Sequence, residues 1–224
     1  LPILDALEPV IFNHIRQTPI IEHIELLLGW VGWLVAAEQF TRAALDWNTY
    51  ASEISEDDLS GSIDFWNRYF QLAVSVEAIS EANRALKHLE ADTLDCTEEL
   101  FSLSSLEIAN GVLEESRLVQ VESQYQKTHE LRWLKLLAEG NTAHGRWVKN
   151  FILLGDSPKP EWDPELISCF ALTQGRVGHF ETAENSFLQL GANSLNIELV
   201  AVIFEGWLRA GETSKVQAWL NDHR

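Results

Sequence analysis

The chain has 224 residues, of which 46% are apolar, and a formal net charge of −18 at pH 7. This length and composition are typical of a globular protein with one large or two small domains, not of a disordered chain. Because DNA, RNA and anionic lipid are bound through clustered Lys and Arg, the charge argues against all three as direct partners. An acidic surface either attracts a basic partner or serves only to keep the protein in solution.

Cys96 and Cys169 are the only cysteines. They show neither the spacing of a zinc site nor the number needed for a disulfide framework. Cys169 lies in the apolar stretch ISCFAL, which predicts a small buried side chain. Two free thiols favour a reducing compartment, and we therefore expect a cytoplasmic protein.

Residues 26–37, LLLGWVGWLVAA, form an uncharged apolar run near the N-terminus. A helix that spans a bilayer needs about twenty such residues, and Glu22, Glu25 and Glu38 limit any extension. The sequence predicts no transmembrane segment and favours a buried helix in a helical stack. Attachment to a membrane surface and an apolar partner site are the alternatives.

Helix signals follow along the first two thirds of the chain. Thr18-Pro19 and residues 55–58, SEDD, have the chemistry of helix starts. From residue 63 to 89, apolar residues recur at intervals of three and four, which predicts one long helix or two joined helices. Further helices are predicted over residues 97–109, 112–126, 131–138 and 142–154, with turns at Gly111 and at Gly140-Asn141.

Residues 157–164, SPKPEWDP, contain three prolines and form the clearest break in the chain. Asp163-Pro164 is typical of a capped helix start. Strand alternation is nearly absent, so the fold class is all-α with about ten to twelve helices. We expect an N-terminal helical region over 1–156, either degenerate repeats or a bundle, and a repeat region over 163–224. One continuous α-solenoid is the alternative.

The C-terminal part of the chain repeats with a period of 33, and each unit consists of a helix, a glycine turn and a second helix. The paired positions are Leu166 and Leu199, Phe170 and Ile203, Gly178 and Gly211, Ala183 and Val216, and Phe187 and Leu220.

Segment 164–190 resembles a tetratricopeptide repeat. Ala171 matches the small residue between the two helices, Gly178 the turn, and Ala183 and Phe187 the small and aromatic positions of the second helix. The sequence departs from the family pattern at the leading tryptophan, the tyrosine and the final proline, where Ile167, Gln174 and Leu195 stand. The second unit, 197–223, departs further, at Phe204 and Val216.

The resemblance implies a right-handed superhelix of stacked antiparallel hairpins, in which the first helix of each pair lines a concave groove that binds a segment of another protein. The predicted partner-binding residues are Ser168, Thr173, Gln174, Glu198, Glu205 and Arg209. An acidic groove predicts a basic or amide-rich protein ligand and an affinity that falls with salt. Val216, Trp219 and Leu220 of the last helix are predicted to be exposed, which suggests homo-oligomer contacts.

No catalytic, metal-binding or cofactor-binding motif is found. The G-x-x-G at 175–178 resembles a nucleic-acid clamp, but it lacks the basic residues and strands of one. His129 and His144 flank one predicted helix without a Cys or His pair beside them. We therefore expect a non-enzymatic scaffold or adaptor without cofactor or metal. A regulatory or docking domain of a larger enzyme, compatible with the absence of methionine, and a self-associating subunit are the alternatives.

Overall fold

The computed structural model describes residues 2–15, 20–50, 63–91, 95–190 and 196–222, and within these ranges every regular element is an α-helix. The all-α prediction is confirmed. The predicted helix starts at Thr18-Pro19 and at residues 55–58 lie outside the described residues. The helices are α1 Pro2–Ile15, α2 Ile20–Ala36, α3 Phe40–Tyr50, α4 Ile63–Ser75, α5 Ile79–Ala91, α6 Thr97–Ala109, α7 Glu115–Thr128, α8 Leu131–Ala143, α9 Trp147–Leu154, α10 Pro164–Arg176, α11 Phe180–Gln189, α12 Ile197–Arg209 and α13 Thr213–Asp222.

The chain divides into two compact units, unit 1 over Leu1–Glu107 and unit 2 over Ile108–Arg224. This boundary differs from the one expected at the proline-rich segment 157–162. The physical reason is that Trp162, inside that segment, is buried and packs against Phe170 of α10. The segment therefore belongs to the core that joins α8 and α9 to α10.

The apolar run at residues 26–37 lies mostly in α2, one face of which is buried within unit 1. Leu28, Trp30, Val31 and Leu34 are each at most 1% exposed, whereas Trp33 is 57% exposed, so the helix is not buried all round. The Trp30 indole N–H donates to the buried Asp46 carboxylate of α3 at 2.8 Å, so the polar edge of the ring is satisfied. None of the described helices has the length and apolarity needed to cross a bilayer.

Five helical hairpins are closed by the same turn. In each, one residue just after the first helix has a left-handed φ, and the next residue donates its N–H to a carbonyl five residues earlier at 2.8 Å. This bond satisfies a carbonyl that the helix end leaves unpaired, and the pattern is a Schellman motif. The left-handed residues are Glu38, Glu77, Gly145, Gly178 and Gly211.

Among the described residues with a positive φ, Glu77, Gly111, Gly145, Gly178 and Gly211 are spaced 33 or 34 residues apart, whereas Glu38, His129 and Gly155 fall outside this spacing. The predicted turn at Gly140 is wrong: Gly140 lies inside α8, where an added Cβ would come within 2.6 Å of Leu118 on α7. Glycine is required there for close helix packing, and the turn is at Gly145.

In four of the five hairpins, the positions that follow the turn share a packing role. After Gly211 the equivalent residues, Val216 and Leu220, are half-buried and exposed. Five residues after the left-handed residue stands a fully buried small or medium-sized residue, which lets the second helix lie close to the first. Nine residues after it stands a large apolar residue. The first set is Ala43, Ala82, Asn150 and Ala183, and the second is Trp47, Leu86, Leu154 and Phe187.

Unit 2 contains three such hairpins in series, α8–α9, α10–α11 and α12–α13. The first helices contact one another in order, α8 with α10 and α10 with α12, and the second helices α9 and α11 each contact the following first helix. Helix α10 therefore has neighbours on several sides and contributes to two apolar cores, one with α8 and α9 and one with α11 and α12. The predicted stacking of hairpins is present within unit 2, whereas the right-handed superhelix stays a prediction.

Candidate functional site

The three partner-binding residues predicted on α10 are buried, so the expectation that they are exposed is wrong. Ser168 is 8%, Thr173 0% and Gln174 1% exposed. The Thr173 hydroxyl donates to the Cys169 carbonyl at 2.7 Å, and the Gln174 amide donates to the Gly155 carbonyl at 2.9 Å. The polar groups of these two residues are satisfied inside the protein, and they are not available to a partner.

The three predicted residues on α12 are exposed. Glu198 accepts from the Arg176 guanidinium of α10 at 2.5 Å, which links two successive first helices. Glu205 accepts from Arg209 one turn later on the same helix, also at 2.5 Å. The exposed face of α12 thus carries two ion pairs, one to α10 and one within α12.

A second charged group joins α8 to the start of α10. The Lys135 ammonium donates to the Asp163 carboxylate at 2.9 Å and lies 3.6 Å from Glu165. Burial alone would raise the pKa of Asp163, but its hydrogen bonds from the Leu166 backbone N–H and from Lys135 hold that pKa below the usual range. Burial raises the pKa of the neighbouring Glu139, and the Lys135 charge only partly offsets this.

The Cys169 thiol lies in the same region and is unsuited to nucleophilic chemistry. Burial, together with the nearby Glu139 charge, raises its pKa to about 12. Since the thiolate is the reactive form, the group is inert near neutral pH. Among the residues that the structure describes, no cluster of three or more His, Cys, Asp or Glu side chains is arranged to hold a metal ion.

Unit 2 has a cleft of about 240 Å³ between α11 and the C-terminal end of α12, here called the α11–α12 cleft. The aromatic rings of Phe180 and Trp207 line it together with Gly206 and three carboxylates. The carboxylates are Glu181, Glu184 and Glu212. An added Cβ at Gly206 would come within 2.7 Å of the Phe180 ring, so this glycine allows the ring to lie against α12.

The chain's own Lys215 supplies a cation to this cleft. Its ammonium lies 2.7 Å from Glu184 and 2.6 Å from Glu212, and 5.8 Å from the centre of the Trp207 ring. The hydrogen bond from Lys215 is the main reason why the pKa of Glu184 is lowered, and the hydrogen bonds to Glu184 and Glu212 raise the pKa of Lys215. Carboxylates and an aromatic face together are a favourable environment for an ammonium group.

The Trp207 indole N–H faces the Glu184 carboxylate. Trp207 is 6% exposed, and its Nε1 is buried without a partner within hydrogen-bond geometry. It lies close enough to Glu184 to contribute to the lowered pKa of that group. The N–H therefore favours the ionised form of Glu184 and is not open to a ligand.

The last helix is less exposed than the sequence predicted. Val216 and Trp219 are half-buried and pack against the core formed by α10, α11 and α12, and the Trp219 ring meets Phe204 edge-on at 5.2 Å. Only Leu220 of the three predicted contact residues is exposed, at 44%. Val216 and Trp219 are partly covered because α13 packs on α12 as the second helix of a hairpin.

Sequence reasoning found the exposed charges of α12 but missed the cleft. Its carboxylates are distributed over α11 and the α12–α13 turn, and no local motif joins them. The repeat period places Phe180 in the same register as Trp147, but it gives no indication of where the three carboxylates meet.

No protein-family model matches the chain, and no curated protein matches it. The resemblance to tetratricopeptide repeats therefore stays a prediction, and the geometry of the cleft is the basis for a functional proposal.

Proposed function

We propose that unit 2 is a non-enzymatic protein-interaction module, a scaffold or adaptor, that binds a basic segment of another protein in the α11–α12 cleft. The observation that carries this proposal is the position of Lys215, whose ammonium lies between Glu184 and Glu212 and beside the Trp207 ring. A lysine or arginine side chain of a partner would use the same groups.

The contacts of Lys215 are of a kind that a partner can replace. The Lys215 and Glu212 side chains are each 42% exposed, and that of Glu184 is 24% exposed. Exposed ion pairs contribute little to stability because solvent screens them and the side chains lose entropy when they pair. A partner cation would therefore exchange with Lys215 at small cost.

Arg209, one of the residues predicted to bind a partner, borders this cleft. Its guanidinium lies 5.8 Å from the centre of the Phe180 ring, which forms one wall. The ion pair between Arg209 and Glu205 therefore extends the charged surface from the cleft along α12. A bound segment that runs along α12 would meet this pair next.

The test is a binding titration with a short fluorescent peptide in which lysine and glycine alternate. We expect binding that weakens as salt is raised, because exposed charges attract one another less at high ionic strength. Glu184→Gln should weaken binding about fivefold, and Lys215→Gln should strengthen it by a similar factor because the internal competitor is removed.

Glu161→Gln is the matched control. Glu161 is exposed in the segment before α10 and does not line the cleft, so the substitution makes the same change in net charge elsewhere in unit 2. Equal losses of affinity in Glu161→Gln and Glu184→Gln would mean that the peptide is attracted only by the net charge of −18, and the proposal would be abandoned. A peptide with glutamate in place of lysine should not bind.

A cytoplasmic location is part of the proposal. Its support is that Cys96 and Cys169 are both free thiols, as is usual in a reducing compartment. Fractionation of cells that express the chain with a fluorescent tag tests it.

A further inference from the structure

Three residues of the α11–α12 cleft have counterparts one period of 33 residues earlier in the chain. Phe151 corresponds to Glu184, His179 to Glu212, and Gln174 to Trp207. The earlier three contact one another: the His179 ring meets the Phe151 ring edge-on at 5.1 Å, and its Nδ1 lies 3.0 Å from the Gln174 side-chain oxygen. The same positions thus form a contact between rings in one hairpin and an acidic cleft in the next.

The replacement of a ring pair by two carboxylates creates a need for a cation. Glu184 on α11 and Glu212 at the α12–α13 turn both lie against one atom, Lys215 Nζ, at 2.7 and 2.6 Å. Carboxylates so close to one point repel each other unless a positive charge lies between them. The counterpart of Lys215 in the preceding hairpin is the uncharged Thr182. The two carboxylates and the cation therefore depart from the repeat together, and they form a cation site instead of a packing contact.

Two arginines of unit 2 show how this chain binds a guanidinium group. Arg176 lies 5.6 Å from the centre of the Trp147 ring and pairs with one carboxylate, that of Glu198. Arg209, one period later, lies 5.8 Å from the centre of the Phe180 ring and pairs with one carboxylate of its own helix. Each guanidinium thus uses a ring face and a single carboxylate, as suits a planar group whose N–H donors lie in one plane.

The Lys215 ammonium is bound in a different way. A single nitrogen donates to two carboxylates, Glu184 and Glu212, which belong to different elements. This arrangement suits the tetrahedral donors of an ammonium group and not the flat fork of a guanidinium. The Trp207 ring, whose centre is 5.8 Å from the nitrogen, adds a favourable face. The cleft therefore matches the head group of lysine better than that of arginine.

The same two hydrogen bonds determine which methylation state of lysine the cleft accepts. An unmodified ammonium has three N–H donors, whereas a trimethylammonium has none. Its methyl groups would also push the oxygens of Glu184 and Glu212 outward by about 1 Å. Cages of aromatic rings bind quaternary ammonium groups. Here the Trp207 ring faces the ammonium, but Phe180, the other aromatic residue of the lining, faces Arg209 instead.

We infer that the α11–α12 cleft recognises the unmodified ammonium group of a partner's lysine and discriminates against arginine and trimethyl-lysine at that position. The inference rests on the proposed function and adds the chemical form of the side chain that is bound. Trimethylation leaves the positive charge of lysine unchanged, so attraction by net charge cannot produce this discrimination. Methylation of the partner would release it from the cleft without changing the charge of either protein.

The test compares three fluorescent peptides of equal charge, in which glycine alternates with lysine, trimethyl-lysine or arginine. We expect the trimethyl-lysine peptide to bind about tenfold and the arginine peptide about fivefold more weakly than the lysine peptide, because neither can donate from one nitrogen to both Glu184 and Glu212. Glu212→Gln should weaken binding of the lysine peptide more than that of the trimethyl-lysine peptide. Equal affinities of the three peptides for the unchanged protein would overturn the inference.

Lys215→Arg is a variant that keeps the net charge of −18. The internal guanidinium should compete less well for the cleft than the ammonium does, so the lysine peptide should bind severalfold more tightly than to the unchanged protein. Circular dichroism should show that the variant is folded. An unchanged affinity would mean that the cleft accepts both cations alike, which would also overturn the inference.

The outcomes separate this inference from the proposed function. If the lysine peptide binds and Glu184→Gln weakens it more than Glu161→Gln does, but the three peptides bind alike, the cleft is a site for basic segments without chemical selectivity. In that case the inference fails and the proposed function stands. If none of the three peptides binds, the proposed function fails and the inference fails with it.

Discussion

The guanidinium of Arg176 lies 5.6 Å from the centre of the Trp147 ring. Arg176 stands two residues before one turn glycine, and Trp147 stands two residues after the preceding one. Arg209 and Phe180 repeat the relationship in the next hairpin, at 5.8 Å. The C-terminal ends of α10 and α12 thus contact the N-terminal ends of α9 and α11, the second helices of the preceding hairpins.

Arg176→Ala should lower the free energy of unfolding more than Arg209→Ala. Arg176 contacts Trp147 and also bridges to Glu198 on the next hairpin, whereas the carboxylate partner of Arg209 is on its own helix. A cation–π contact and an ion pair between helices together contribute about 1 kcal/mol, and we expect about half that or less for Arg209. Urea denaturation followed by circular dichroism measures the free energy of unfolding of both variants. Equal decreases would show that the ion pair between Arg176 and Glu198 does not contribute to stability.

Gly175→Ala should destabilise the protein by about 1–3 kcal/mol, since the new methyl group overlaps Val202 in a packed interface. Adding Val202→Ala should recover part of the loss, because it removes the atoms that collide. Gly29→Ala in α2 is the control: its nearest neighbour would be the end of the Arg68 side chain at 4.0 Å, and alanine favours a helix. A loss at Gly29 as large as at Gly175 would contradict the packing explanation.

The sequence was sufficient for the helical class and for the α10–α11 hairpin, in which Gly178 marks the turn and Ala183 the close contact. It was insufficient at α8–α9, because Asn150 replaces alanine at the buried position after Gly145. Its amide donates to the Ala138 carbonyl at 2.9 Å, so a polar residue fits there. In unit 1 the left-handed turn residues are Glu38 and Glu77. Because neither is glycine, the sequence does not indicate these turns.

The candidate site was harder to predict than the fold. Thr173 and Gln174 are polar and were therefore expected at the surface, yet both find backbone carbonyl partners inside the protein. Polarity in a sequence indicates a need for hydrogen bonds, which water or the chain itself can meet. The cleft carboxylates converge only through the packing of α11 against α12, which no local pattern encodes.

Glu139→Gln should stabilise the protein at pH 7. Burial raises the pKa of Glu139, so the folded state disfavours the ionised form that prevails at neutral pH. The gain should shrink as pH falls through the raised pKa of the folded state, and vanish below pH ~4, where the carboxyl is protonated in the unfolded chain too. Thermal unfolding at pH 7 and at low pH measures it.

Asp163→Asn should act with the opposite sign and is the matched comparison. The pKa of Asp163 is lowered, because the Leu166 N–H and Lys135 outweigh the effect of burial. Its stabilisation is therefore present above the unfolded pKa of about 3.9 and is lost as pH falls through the lower folded value. A stabilising Asp163→Asn at pH 7 would show that the pair with Lys135 is unfavourable overall.

Cys169 should resist thiol reagents in the folded protein. With a pKa of about 12 it holds almost no thiolate at pH 8, although the residue is partly exposed. Burial raises the pKa of Cys96 as well, and that residue is also partly exposed. An aromatic disulfide reagent should therefore react with at most one thiol per chain until denaturant is added, and Cys96→Ser should remove this reaction. Rapid reaction of two thiols per chain in the folded protein would contradict the packing around α10.

The common turn makes the α10–α11 hairpin a unit of fixed length. Gly145, Gly178 and Gly211 are evenly spaced along the chain, and each closes with the same hydrogen bond. Buried residues at equivalent positions, such as Trp133, Leu166 and Leu199, therefore recur in the same register of the hairpins. Addition or loss of one whole period would preserve this phase, whereas an insertion of one or two residues within a helix would rotate all later contacts of that helix away from its neighbour. We therefore expect unit 2 to tolerate the insertion or deletion of a whole hairpin better than that of one or two residues.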